Sequence, residues 1–343
     1  MKIKRVYIPA AGEMLLQETE LDERLKPTEV LVRTTYSGIS AGTECALYMG
    51  WGGDIFPTAT GGSNVGEVVA TGAEVTAFAV GDHITSFTNH DSYVKCETLP
   101  LEFGFNSHRS GVVIPPALRG PSSALVYHFA VGMSAVRESA VTLGDDVLVV
   151  GGGLIGLTAA QLFRAAGASV MLADLSEPRL ALARRCGIDH TVNSGEADLA
   201  AAVRDWTDGR LLHHVVVAVP NTAILPDLVD LLRVRGNLIM LASYRREATA
   251  DIQPIFAKLQ TLSARVHSPL AWRYPIAEAR HHHHSTLGHY RQILRLIADG
   301  RLTVDPLITL VDPADCHAVF QDLVHRKDKY LGAVFDWSRV HGR

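Results

Sequence analysis

Clustered cysteine is the first thing missing from this chain. Four cysteines occur in 343 residues, at Cys45, Cys96, Cys186 and Cys316, and none belongs to a C-x-x-C pair. A closed structural zinc site built from clustered thiolates is therefore excluded. Scattered thiols suit a reducing compartment, as small buried or half-buried side chains. An excess of positive charge is missing too. The formal net charge is -4, so no global basic field draws the chain to nucleic acid. No apolar run is long enough to span a bilayer. The opening Met1-Lys-Ile-Lys-Arg-Val6 is charged and lacks the apolar stretch of a secretion signal. The expectation is a soluble, cytoplasmic protein with neither a nucleic-acid nor a membrane partner. The one low-complexity tract is His281–His284. Adjacent histidines on a loop rarely converge on one metal, so this run reads as a solvated loop.

What is present is glycine in a telling place. Asp146-Val-Leu-Val-Val-Gly-Gly-Gly-Leu-Ile-Gly156 is a short β-rich run ending in a glycine turn, followed by an amphipathic segment to Ala166. Gly151, Gly153 and Gly156 fit G-x-G-x-x-G. The first lets the chain turn, the second lets backbone approach a pyrophosphate, and the third lets helix and strand pack closely. Leu154, Ile155 and Gly156 open the helix, whose free N–H groups suit phosphate. A second strand, Ser169–Ala173, follows and ends at Asp174. An acid there bonds a ribose 2′-hydroxyl and repels a 2′-phosphate, so NAD is expected over NADP. The competing reading is a glycine turn in an ordinary α/β protein, with Asp174 capping the next helix.

Around that stretch the chain falls into three parts. From Met1 to about Ser123 it reads as mostly β. Short strands are expected at Val30–Tyr36, Gly66–Gly72, Gly81–Ser86 and Ser92–Cys96, and such spacing suggests a barrel-like domain. Gly104–Gly120 reads as a loop. A helix over Leu125–Ala140 leads into alternating strands and helices. Strands are expected at Val147–Val150, Ser169–Ala173, His190–Val192, His214–Val219, Leu238–Leu241 and Ala264–His267, with a helix at Glu177–Arg185. This alternation predicts a parallel, doubly wound sheet. Ligands bind beyond the carboxyl ends of such strands, which puts Val219, Pro220, Ala242, Ser243 and Tyr244 at the cleft. Tyr244 reads as a core aromatic or a gate. The tail carries a helix at Tyr290–Ala298, a strand at Leu307–Val311, a helix at Pro313–His325 capped by Asp312, and a strand at Leu331–Trp337.

Taken together, these motifs resemble the medium-chain dehydrogenase/reductase superfamily. Ser37-Gly-Ile-Ser-Ala-Gly-Thr-Glu44 resembles its first catalytic loop, Gly61–Gly72 its glycine-rich loop and strand, and Val80-Gly-Asp-His-Ile84 its Gly-Asp turn. Gly151–Gly156 with Asp174 match its cofactor fingerprint. The resemblance implies an α/β protein with a GroES-like β-rich catalytic domain, 1–127 and 273–343, and a Rossmann cofactor domain, 128–272. It also implies zinc ligands that are not there. Their positions fall at Ser40 or Ala41, at Gly62 and Ser63, and near Tyr127. None is a thiolate, imidazole or carboxylate, so a zinc-free enzyme is expected. The Ser-Gly-Ile-Ser-x-Gly-Thr-Glu loop is similar to that of bacteriochlorophyllide dehydrogenases and of sugar, cyclitol or natural-product dehydrogenases.

Without a metal, side chains must hold the substrate oxygen and move its proton. Tyr127 stands at a vacated ligand position as a candidate acid, or else bonds backbone from an amphipathic helix. Thr43 stands at the family's relay position, or else caps a helix. Glu44 is a candidate base, or else an acid placed by the helix dipole. His128 follows Tyr127 and should point aside from it, since neighbours on a helix do not share a face. Ser40, Ser63 and Asn64 suit binding of a hydroxylated or carbonyl substrate. The reading is NAD-dependent hydride transfer with a secondary alcohol or ketone. Two alternatives stay open, a zinc-free reductase of activated C=C bonds and a non-catalytic NAD-binding protein. A homodimer is expected through the last strand of the cofactor sheet.

Overall fold

The computed structural model describes residues 1–51, 53, 55–98, 111–243, 251–271, 274–275 and 284–341. Tyr244 and His281–His283 lie outside the described residues. The chain divides into two units, one of Met1–Ala130, Trp272–Gly300 and Leu307–Arg343, the other of Val131–Ala271 and Arg301–Pro306.

The first unit is built on the strand Glu29–Gly38. It pairs antiparallel with Ser63–Thr71, Tyr93–Glu97 and Gly332–Asp336. Ile308–Val311, His83–Ser86 and Val112–Val113 complete a sheet of seven strands among the described residues. Alternation explains the pairing. Val30, Val32, Val68, Ile84, Val94 and Cys96 point to one face and form a closed apolar cluster. Ile39, Tyr48, Phe320, Phe335 and Trp337 build a second one. The expected barrel-like β region is thus present, with strand limits moved by one to three residues. Lys2–Ile8 and Leu15–Glu20 were not expected as strands. They pair antiparallel, and Ile3, Val6 and Ile8 are buried between charged neighbours. The tail helix begins earlier than expected, at Thr286, because Ser285 accepts from the Gly288 N–H. Asp312 does cap, but caps a single 3-10 turn, and the α-helix proper starts at Cys316.

The second unit holds a six-stranded parallel sheet in the order His190–Asn193, Ser169–Asp174, Asp146–Val150, Leu212–Val217, Leu232–Met240, Arg265–His267. Leu148, Met171, Val215 and Leu238 are buried on one face and Val149, Leu172, Val216 and Ile239 on the other, which is why its central strands read as continuous hydrophobic runs. The fourth strand ends at Val217, short of the expected Val219. The chain bends there while Ala218 N–H still bonds the Val150 carbonyl. The fifth starts at Leu232, well before the expected Leu238, because Leu232 pairs with Leu212 across an irregular stretch. Among the described residues no helix is long and apolar enough to cross a membrane. All four cysteines are free and buried.

Candidate active site

In the first unit, the helix Ala41–Tyr48 starts directly after the central strand, with Ser40 at its cap position. Glu44 turns back into the protein from the first turn and is buried. Its Oε1 accepts from the Ser40 N–H at 2.7 Å and its Oε2 from the Thr60 hydroxyl at 2.7 Å. His90 Nε2 lies 3.0 Å from the same Oε2. The chain of bonds continues inward. His90 Nδ1 is 2.7 Å from Ser37 Oγ, which also accepts from the Trp337 indole N–H at 2.8 Å. The loop bearing His90 is tied down as well, since Arg5 makes a two-pronged bond to Asp91 at 2.9 and 2.7 Å. Burial pushes the Glu44 carboxyl up. The charge and hydrogen bond of His90, with the Ser40 and Thr60 donors, outweigh this and hold it below the ordinary range.

The candidates from the sequence separate here by their bonds. Ser40 and Thr43 are half-buried, and their hydroxyls make no hydrogen bond among the described residues. Thr43 is the third residue of the helix and does not occupy the cap position. Ser63 and Asn64 are buried, and their donors go to the scaffold. Ser63 donates to the Ala124 carbonyl at 2.5 Å, and Asn64 to Thr88 Oγ1 at 2.6 Å and the Asn89 carbonyl at 2.5 Å. Tyr127 and His128 sit on the helix Val126–Ser139 with different exposure. Tyr127 is half-buried, its ring 4.9 Å from that of Phe87. His128 is buried, beside the backbone of Gly38. Burial pushes its imidazole down to about 4, against the opposing charge of Glu44 and a backbone bond at Ile39. Sequence reasoning missed His90, Thr60, Ser37, Trp337 and Phe87. Each meets its partner only through long-range pairing. The one local signal was Ser37 within the first loop.

In the second unit the cofactor residues converge at the carboxyl ends of the parallel strands. Gly151 turns at φ 107°, and a Cβ there would meet Val219 Cγ1 at 2.6 Å. A Cβ on Gly156 would lie 1.8 Å from the Gly151 carbonyl oxygen, so only glycine permits this approach of helix to strand. Gly153 caps the helix Leu154–Ala165 and faces open space within 4 Å. That opening, beside the free N–H groups of Leu154, Ile155 and Gly156, fits a pyrophosphate. Asp174 ends the neighbouring strand and is not a helix cap. Its Oδ2 accepts from the Gly152 N–H at 2.6 Å and its Oδ1 from the Ser176 N–H at 2.8 Å. Each oxygen keeps a lone pair for a ribose hydroxyl. Arg179 Nη1 stands 3.8 Å from Asp174 Oδ2. Val219 and Pro220 lie in the bend after the fourth strand, and Ala242 and Ser243 just past the fifth.

A GroES-like β unit and a parallel-sheet unit with a glycine-turn dinucleotide site define an alcohol-dehydrogenase-like oxidoreductase. Comparison with known proteins agrees. Residues 26–118 match the alcohol dehydrogenase GroES-like domain, and residues 155–273 match the zinc-binding dehydrogenase family. The chain belongs to the medium-chain dehydrogenase/reductase superfamily and is an enzyme. It is 27% identical over 281 residues to a sorbitol dehydrogenase of Halalkalibacterium halodurans, covering 74% of this chain and 82% of that one. It is 28% identical over 309 residues to an L-galactonate-5-dehydrogenase of Escherichia coli, covering 82% and 83%. In fold it is similar to galactitol-1-phosphate dehydrogenase from Escherichia coli, with TM-score 0.81, 18% identity and coverage of 97% and 99%. A dehydrogenase from Sinorhizobium meliloti bound to NADP gives TM-score 0.81 at 20% identity over 98% and 99%.

Proposed function

We propose that this enzyme oxidises a secondary alcohol of a small polyol or sugar acid, or reduces the matching ketone, with NAD and without catalytic zinc. The observation that carries the zinc-free reading is Phe87. A Cβ built on Gly62, where the superfamily's histidine ligand would fall, lies 3.2 Å from the Phe87 ring. The same ring packs on Tyr127 at 4.9 Å, so two vacated ligand positions border one aromatic pair. Ser40, Gly62, Ser63 and Tyr127 provide no thiolate, imidazole or carboxylate, and this donor set does not fit zinc. The polyol class is supported by the sorbitol and L-galactonate relatives.

The 151–156 turn and Asp174 would hold NAD, whose nicotinamide would accept the hydride in oxidation and, when reduced, return it in the other direction. The chain's own task is then the substrate oxygen. Tyr127 and Thr43 donate to it, and Ser40 binds a neighbouring hydroxyl. In the reductive direction Tyr127 gives up its phenolic proton to that oxygen. Glu44 acts through the first loop. Its carboxylate is bonded to Ser40 N–H, Thr60 and His90, and so fixes where Ser40 and Thr43 stand. His128, buried and neutral, belongs to the same scaffold. The division of labour follows the two units, with the substrate residues, His128 included, in the first and the cofactor residues in the second.

The test combines metal and donor. Purified enzyme is assayed with NAD and a polyol series, with and without chelator, and its zinc is measured by elemental analysis. Less than stoichiometric zinc and chelator-insensitive turnover are expected. Tyr127→Phe removes one donor and should lower turnover on the order of 100- to 1000-fold with NAD affinity kept. One tightly bound zinc per chain whose removal abolishes turnover overturns the zinc-free reading. Turnover of Tyr127→Phe within about threefold of the native rate, far below that donor cost, removes Tyr127 as the acid.

A further inference from the structure

We propose that the second unit carries an anion site for a phosphoryl dianion, at the end of its sheet opposite the cofactor residues. The site is an open cleft of about 390 Å³ at the amino ends of the strands, with Arg233, Arg235, Arg265, His213, Asp145 and Ser139 on its walls. Its cations exceed its anions. Arg233, Arg235 and Arg265 face a single carboxylate, that of Asp145. That carboxylate is already engaged. Its Oδ2 accepts from the Thr142 N–H at 2.8 Å, the Thr142 hydroxyl at 3.1 Å and His214 Nε2 at 3.0 Å. Asp146 stands behind His213 at 3.7 Å. Arg233 Nη1 lies 2.5 Å from His213 Nε2, and His213 Nδ1 accepts from the Asp146 N–H at 2.9 Å. The guanidinium groups of Arg235 and Arg265, both exposed, make no hydrogen bond or ion pair among the described residues.

Two features show that the cleft is held in shape. Its floor is a chain of bonds with a fixed direction. His267 Nε2 donates to Asn237 Oδ1 at 3.0 Å, Asn237 Nδ2 donates to His214 Nδ1 at 3.2 Å, and His214 Nε2 donates to Asp145. This chain crosses three adjacent strands and ends at Asp145, just before the neighbouring strand Asp146–Val150. The wall is a backbone irregularity. The pairing jumps from Leu212–Leu232 to His214–Asn237, so residues 233–236 bulge opposite His213 alone. At its tip Arg235 adopts φ 64°, in the left-handed region that glycine enters freely and side-chain-bearing residues rarely do. Gly236, next in the chain, has no such φ. An arginine held where glycine would be unstrained, unpaired and beside a second unpaired arginine, points to a ligand for both. Arginine forks match the oxygens of phosphate. An open, solvent-fed cleft of this size takes inorganic phosphate or the head of a small phosphomonoester.

The experiment measures thermal stability of the whole enzyme with NADH saturating, so that the glycine turn is occupied. Inorganic phosphate, glycerol 1-phosphate and chloride are compared at equal ionic strength. Phosphate or the ester should raise Tm by roughly 2 °C or more over chloride. The better of the two identifies the source of the phosphoryl group. Arg235→Gly separates binding from folding, because its two effects have opposite sign. In phosphate-free buffer it should raise Tm, by relieving the left-handed arginine. The gain on adding phosphate should disappear. Arg265→Gln should lose that gain with little change in baseline. A gain no larger than that with chloride, or one retained in full by Arg235→Gly, overturns the proposal.

Discussion

Acid should destabilise the first unit through His128. The buried imidazole is pushed down from 6.5 to about 4, so the native unit keeps it neutral where the unfolded chain protonates it. Between these two values the unfolded state binds more protons. Stability from this group is therefore whole above pH 6.5, falls as pH drops below it, and is exhausted near pH 4. At about 1.4 kcal/mol per pH unit and proton, the interval amounts to roughly 3 kcal/mol. Glu44, held below the ordinary carboxylate range, adds to the loss only at still lower pH. His214 and His267 in the second unit are also pushed down by burial and act in the same direction. A variant isolates the share of His128. His128→Asn removes the titrating ring, and the stability difference between native and variant protein should shrink as pH falls from 6.5 toward 4.5. The assay is urea unfolding across that range, read as the pH dependence of the difference. Parallel curves, with a difference that stays constant, would refute the assignment.

Other expectations follow from the cofactor end of the second unit. Asp174→Ala should weaken NAD binding and narrow its advantage over NADP, measured by fluorescence titration of the reduced cofactors. Native enzyme that binds NADPH more tightly than NADH would mean that Arg179, 3.8 Å away, governs the choice instead. The strand Arg265–His267 is an edge of the parallel sheet, with Val266 exposed. An open edge invites pairing, and two-fold association is the commonest symmetry. Light scattering should give twice the chain mass at micromolar concentration, and a single-chain mass would count against pairing through this edge.

What the sequence revealed follows the range of the interactions involved. The glycine turn is local in every respect. Its three glycines, the strand before it and the acid after the next strand all lie within Asp146–Asp174, and the structure places them as that pattern requires. The sheet order could be read because alternating strand and helix leave few arrangements. The first strand pair was missed because charges at Lys2, Lys4 and Arg5 mask the buried Ile3, Val6 and Ile8. The start of the fifth strand was missed because Arg233, Arg235 and Gly236 interrupt its apolar pattern. Glu44 was recognised as a candidate, but its partners were not. Thr60 and His90 come from separate places in the chain, and no spacing rule joins them to Glu44; Trp337 joins the network one step further on, through Ser37 and His90.

The same long-range bonds bear on the absence of zinc ligands in this reading. If the vacated positions were merely lost, one substitution would go far toward restoring them. The surroundings argue otherwise. A Cβ at Gly62 would press on the Phe87 ring at 3.2 Å, and that ring packs in turn on Tyr127. An acid at Ser63 would replace the donor to the Ala124 carbonyl with a charge facing that oxygen. Glu44 is already engaged by three donors, Ser40 N–H, the Thr60 hydroxyl and His90. Several side chains would have to change together, each costing stability until the others followed. The Glu44–His90 couple holds the first loop in place through hydrogen bonds at Ser37 and Ser40, an arrangement in keeping with the zinc-free proposal.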